Sequence, residues 1–153
     1  MNLLIKYVWF GTEKVAQPLL WMPPLIARLV VGYVFMMAGW GKLQHLPQVQ
    51  ENFVAWGFPF AHFLANLTAG WEFVGGIMIM MGLMTRISAG GLAVIMLVAI
   101  AVVQLPEVES FADLIALEEL TLFVVFTWLA VAGAGKVSLD QWLMANYLRE
   151  KRP

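Results

Sequence analysis

A chain of 153 residues has the length of about one average domain, yet its composition is not that of a soluble one. Apolar residues make up 61% and charged residues 12%, against about 45–50% and 25% in ordinary globular proteins. So few charges cannot cover the exposed surface of so small a fold, and the solvent around it is expected to be largely lipid. The net charge of −1 excludes a nucleic-acid-binding face, which must be basic. The absence of cysteine excludes disulfides, thiolate metal sites, CxxC redox motifs and cysteine nucleophiles. Any redox role would rest on a cofactor, a quinone or a partner subunit.

In chain order, Met1 to Trp21, with Tyr7, Trp9 and Trp21, reads as an interfacial segment lying on the cytoplasmic leaflet. Lys6 interrupts its apolar run and no small-residue cleavage site follows, so a cleavable signal peptide is not expected. Four later stretches approach the roughly 20 apolar residues that a helix needs to cross a bilayer: 23–41, 62–84, 87–105 and 114–134. They are continuous and lack the polar alternation of a barrel strand. Pro23-Pro24 suits the first turn of a helix. Pro47 to Trp56 reads as a short amphipathic helix, with Gly57 as its C-cap and Pro59 restarting the chain. Thr85-Arg86 forms a turn short enough only for a helical hairpin, Pro106 stops the third span, and Gly133-Ala134-Gly135 frees the chain after the fourth. The expected fold is an all-α integral membrane four-helix bundle, antiparallel. It comprises an N-terminal segment (1–22), a four-span domain (23–135) and a C-terminal tail (136–153).

Lysine and arginine set the orientation. One side receives Lys6, Lys14, Arg86, Lys136, Arg149, Lys151 and Arg152. The other receives only Lys42, beside Glu51, Glu107, Glu109 and Asp113. Both termini are therefore expected in the cytoplasm, with the 42–61 and 106–113 loops outside.

Charges at bilayer depth are costly and normally face the bundle interior with partners. Arg28, Glu72, Glu118 and Glu119 fall inside the spans, and Lys42 ends the first. At about 1.5 Å of rise per residue, Glu118 and Glu119 lie roughly 6–9 Å below the outer boundary and Glu72 about 15 Å. Lys42 reaches roughly 6 Å inward, so these four groups are expected to converge in the outer half of the bundle. Arg28 lies too deep to join them and is expected to snorkel to the cytoplasmic headgroups. Arg28, Gly32, Phe35, Gly39 and Lys42 share a helix face, and Gly39, Gly41, Gly75 and Gly76 allow close backbone approach. Three acids together cannot all stay ionised without further cations, which makes a proton-carrying carboxyl beside a quinone or ion path the expected chemistry. The plainer reading is that Lys42 and Glu72 only fasten helices.

His45 and His62 sit on the outer side without metal-ligand spacing, although a site shared with a glutamate is conceivable. The methionines at 78, 80, 81 and 84 suit soft-metal binding or, more simply, space filling. Trp40, Phe53, Trp56, Phe58, Phe60, Phe63 and Trp71 form either an interfacial belt or the walls of an apolar slot for a quinone headgroup, with Lys42, His62 and Glu72 as its polar groups.

The fragments Arg28-Leu29-Val30-Val31-Gly32, Phe35, Gly39 and Gly41-Lys42-Leu43 resemble the DoxX family of small four-helix membrane proteins. Phe53, Gly57-Phe58-Pro59 and Glu72-Phe73-Val74-Gly75-Gly76 follow in order. Gly82-Leu83, Thr85-Arg86, Gly133, Lys136 and Ser138-Leu139-Asp140 complete a resemblance over roughly 25–142. The resemblance implies likeness to the small subunit of a thiosulfate:quinone oxidoreductase or to membrane partners of redox and stress-defence complexes. It carries over to Arg28, Lys42 and Glu72, and not clearly to Glu118 or Glu119, whose region varies.

The function expected is that of a quinone-interacting inner-membrane subunit. Glu72 and Lys42 are the candidate catalytic residues, and Lys42, His62, Trp40, Trp56, Trp71, Glu118 and Glu119 the candidate quinone contacts. The alternatives are an anchoring or assembly subunit, and a protein handling metal or small solutes. The expected partners are the lipid bilayer, a redox subunit and further copies of the chain.

Overall fold

The computed structural model describes residue 13 and residues 16–150, the last two by backbone alone. Most of the expected interfacial segment lies outside the described residues, as do Lys6, Lys14, Lys151, Arg152 and the Arg149 side chain, on which the orientation argument drew.

Every regular element among the described residues is helical. A short turn at Gln17–Leu19 leads into α1 (Met22–Gln44). Then follow α2 (Leu46–Ala55), α3 (Ala61–Met81), α4 (Thr85–Ala99), α5 (Phe111–Ala116), α6 (Glu118–Ala132) and α7 (Leu139–Glu150). A π-helical turn at Ile100–Gln104 and a 3-10 turn at Leu105–Glu107 prolong α4. Three helical stretches are long and apolar enough to cross a membrane: Gln17–Gln44, Ala61–Met81 and Thr85–Glu107.

Local chemistry explains the boundaries. Prolines occupy the first turns of α1 and α2, where their missing N–H removes no helical hydrogen bond. Gly57 and Gly82, at φ +75° and +68°, close α2 and α3 with paired hydrogen bonds. Phe58 N donates to Phe53 O and Gly57 N to Val54 O; Leu83 N donates to Met78 O and Gly82 N to Ile79 O. Both are left-handed helix ends that glycine adopts without strain.

The fourth expected span is divided. Ser110 and Asp113 form a reciprocal capping box that starts the six-residue α5. Leu117 is extended, and α6 begins at Glu118, so Glu118 and Glu119 fall in its first turn. Carboxylates are favoured at that end of a helix dipole, and the acids that interrupt the apolar run thereby mark a start rather than mid-span.

α1 and α3 approach backbone to backbone. A Cβ at Gly39 would lie 2.7 Å from Phe73 Cα, one at Gly32 2.8 Å from Gly76 O, and one at Gly76 2.5 Å from Met36 N. Between lipid-embedded helices the hydrophobic effect supplies little attraction, so such close packing provides much of it. On the other side, Ala89, Leu92, Ala93 and Met96 of α4 join Phe126 and Leu129 of α6 in a core that also takes in Val31, Phe35 and Ile79. Phe35 meets Phe126 edge to face at 4.7 Å, linking α1 to α6.

Candidate functional site

α1 and α3 bring Lys42 and Glu72 together. Their contact line runs through Gly39 and Phe73, and a rotation of about 100° per residue turns Lys42 and Glu72 to the same side of it. Lys42 Nζ donates to Glu72 Oε1 at 2.6 Å. The exposures are unequal: Glu72 is 1% accessible, the lysine side chain 38%. The carboxylate thus lies inside the helix cluster while the ammonium stands at its mouth. Glu72 Oε2 is buried and has no hydrogen-bond partner. A carboxylate with one oxygen neutralised and the other free inside an apolar surround is an acceptor for a donor group that enters at the lysine.

The other expected contacts lie elsewhere. Glu119 Oε1 accepts from Gln104 Nε2 at 2.7 Å, joining the π-helical turn after α4 to the start of α6. Glu118 is exposed. Among the described residues Lys42 forms its ion pair with Glu72 alone, so the four-group convergence expected in the outer half reduces to a pair. α6 starts at these glutamates and carries them in its first turn.

His62 and Gln50 bond at 3.0 Å through Nδ1 and Oε1, while Gln50 Nε2 donates to Asn66 Oδ1 at 2.9 Å. His62 therefore pins α2 to α3. His45 Nδ1–H donates to its own helix at Gly41 O, 3.0 Å away. Among the described residues no three His, Asp or Glu side chains gather as a metal site.

The tryptophans do not share one slot. Trp40 packs on Phe73 with ring centroids 5.5 Å apart, whereas Trp71 lies over Gly91 of α4, where a Cβ would come within 2.7 Å of its Cζ2. Residues 71 and 73 face roughly opposite sides of α3. Trp56 packs at a tilt on Phe53, ring centroids 5.6 Å apart, at the end of α2. Each is partly exposed, an arrangement that suits amphipathic rings along an apolar exterior.

A second polar cluster occupies the opposite end of α3. Arg28 is 1% exposed: its Nη2 donates to Val137 O and its Nε to Pro24 O at 3.4 Å. It does not snorkel, because the link after α6 delivers a backbone carbonyl to it within the protein. Asp140 Oδ1 accepts from Met84 N at 2.7 Å and Oδ2 from Thr85 N at 3.0 Å, while Asp140 N donates to Gly82 O at 2.8 Å. Asp140 thereby caps α4 from another element and lies close enough to Arg28 to act on its charge. Sequence reasoning missed this lock; the signal available was an acid after Ser138, matched to a turn whose N-cap lacks a side-chain acceptor of its own.

Buried charges set between long apolar helices define an all-helical membrane protein. The DoxX family model matches residues 24–105, more than half of the chain, and the chain belongs to that family. It is similar to the inner membrane protein YqjF of Escherichia coli, 32% identical over 119 residues that span 78% of this chain and 90% of that one. It is also 32% identical, over 134 residues, to the uncharacterized membrane protein Rv3486 of Mycobacterium tuberculosis, spanning 79% of this chain and 82% of that one. No solved structure matches it significantly. The matched family region contains Arg28, Lys42, Glu72 and Gly82; Glu118, Glu119 and Asp140 lie beyond it.

Proposed function

We propose that this chain is a quinone-interacting subunit of an inner-membrane oxidoreductase, with Lys42 and Glu72 as the polar end of the quinone site. The observation that carries the reading is the asymmetric pair: a half-exposed ammonium at 2.6 Å from a buried carboxylate whose second oxygen has no partner. The pair fits the polar end of such a site, whereas the dispersed tryptophans do not fit a three-walled slot: Trp40, two residues from Lys42 and so on roughly the opposite side of α1, packs on Phe73 and does not wall the pair. A quinone supplies two-electron, two-proton chemistry when bound. In this chain the Lys42 ammonium would orient a carbonyl oxygen, and Glu72 would hold or release the proton at Oε2. Electrons would come from a partner polypeptide.

The topology belongs to the same proposal: an antiparallel four-helix bundle of α1, α3, α4 and α6, with both termini cytoplasmic. It is supported by the contacts between α1 and α3, which climb one helix as they descend the other. The charge asymmetry between the Arg86–Lys136 end and the Lys42 end supports it too. A second reading, an anchoring subunit without chemistry of its own, draws on a different observation. The ion pair closes within one chain beside the tight Gly39–Phe73 crossing, as a helix fastener would.

Quinone extracted from the purified protein separates the two. Under the first reading Lys42→Ala and Glu72→Gln deplete bound quinone while helix content is kept. Under the second, the preparation holds none and the same variants weaken only assembly.

A further inference from the structure

At the end of the molecule away from Lys42, a cleft of about 790 Å³ opens between the α3–α4 turn, the 132–136 link and the inner face of α7. Its size falls within the roughly 300–1,000 Å³ of small-molecule sites. Met84, Ile87, Leu143 and Met144 give it apolar walls, and Arg86 and Lys136 stand in its lining.

Neither cation makes an ion pair or hydrogen bond among the described residues. The acid beside them, Asp140, spends both oxygens on Met84 N and Thr85 N, and its charge also faces Arg28. Among the described residues Arg28, Arg86 and Lys136 therefore oppose a single carboxylate here, and the two in the cleft are left to a ligand. The backbone makes room for this. Gly133 is buried at φ +83°, and a Cβ there would stand 3.2 Å from Arg86 Nε, so the guanidinium rests on bare backbone.

Depth selects the ligand. Arg86 is the second residue of α4 and lies five residues beyond the end of α3, both apolar enough to cross a membrane. This level is the membrane boundary whichever way the chain faces, and lipid phosphates lie there. Clustered cations between helices at that level are suited to anionic headgroups, and the apolar walls suit the glycerol and upper acyl carbons.

We propose that this cleft binds the phosphate of an anionic phospholipid, with Arg86 and Lys136 as its cations. A free phosphate shares the charge but not the apolar part, which makes the sources separable. The test is native mass spectrometry of the full chain in neutral detergent, titrated with dioctanoyl phosphatidylglycerol, dioctanoyl phosphatidylcholine or inorganic phosphate. Phosphatidylglycerol is expected to bind in preference to both others. Arg86→Gln and Lys136→Gln should each weaken it about fivefold, while Arg86→Lys keeps most of the affinity. Equal binding of the two lipids, or unchanged phosphatidylglycerol affinity in the Arg86→Gln/Lys136→Gln double variant, overturns the proposal. So does inorganic phosphate binding as tightly as the lipid, which would make this a site for free anions.

Discussion

The Arg28 guanidinium occupies the space that a side chain at Gly82 would need. Gly82 ends α3 in the left-handed region at φ +68°, and its carbonyl accepts from Asp140 N. One glycine thus closes a span, admits a buried cation from α1 and receives the start of α7. Three elements remote in sequence meet at a residue whose contribution is to have no side chain.

Gly82→Ala is expected to lose more than roughly 2 kcal/mol, from left-handed strain combined with the collision at Arg28. Melting in detergent checks this. Gly90→Ala is the control, since a Cβ at Gly90 meets open space within a regular helix and should be neutral or slightly stabilising. Equal melting temperatures for the two variants would contradict this account of the turn.

Asp140→Ala should destabilise by about 1–2 kcal/mol, because it leaves the first N–H groups of α4 without their acceptor. Asp140→Asn keeps one acceptor oxygen and should lose less. The effect should be local: amide exchange is expected to quicken at Met84 and Thr85 and at the start of α7 before the rest of the molecule. Uniform acceleration would assign Asp140 a global role instead.

Signals confined to one helix were legible in the chain. Apolar run length located α1, α3 and α4, the prolines marked first turns, and Gly57 marked the end of α2. The Lys42–Glu72 pair followed from depth, since the partners lie only 30 residues apart across one hairpin-like excursion. The break at Leu117 was hidden because α5 and α6 together read as one apolar run, although the Ser110–Asp113 box was present in the sequence. Arg28 was misread for a deeper reason. Its acceptor, Val137 O, is a backbone atom 109 residues away, and a backbone carbonyl carries no residue-type signal. Glu118 and Glu119 were placed by depth alone, and depth says nothing about which way a helix is rotated.

Removing Lys42 leaves a buried carboxylate without its counter-charge. Lys42→Met is expected to destabilise by roughly 2–4 kcal/mol, somewhat below a fully buried pair because the lysine is 38% exposed. The double variant Lys42→Met/Glu72→Met removes both charges and should recover much of that loss. A thermodynamic cycle in detergent measures the coupling. Additive losses would mean that the 2.6 Å contact carries no stabilising energy.

The absence of native cysteine makes the proposed topology directly measurable, since every introduced thiol reports alone. Lys136→Cys and Gln48→Cys place thiols at exposed positions at the two ends of the helices. If Lys and Arg set the orientation, a membrane-impermeant maleimide added to intact cells should label position 48 and spare 136 until the membrane is broken. The reverse pattern would invert the protein and move the Lys42–Glu72 mouth to the cytoplasmic side. Labelling of both positions in intact cells would mean an even number of crossings between them. In that case α6, at 15 residues and about 22 Å, would not complete a passage through roughly 30 Å of hydrocarbon. The pair of thiols therefore tests whether the short fourth helix spans the membrane as well as which way the chain faces.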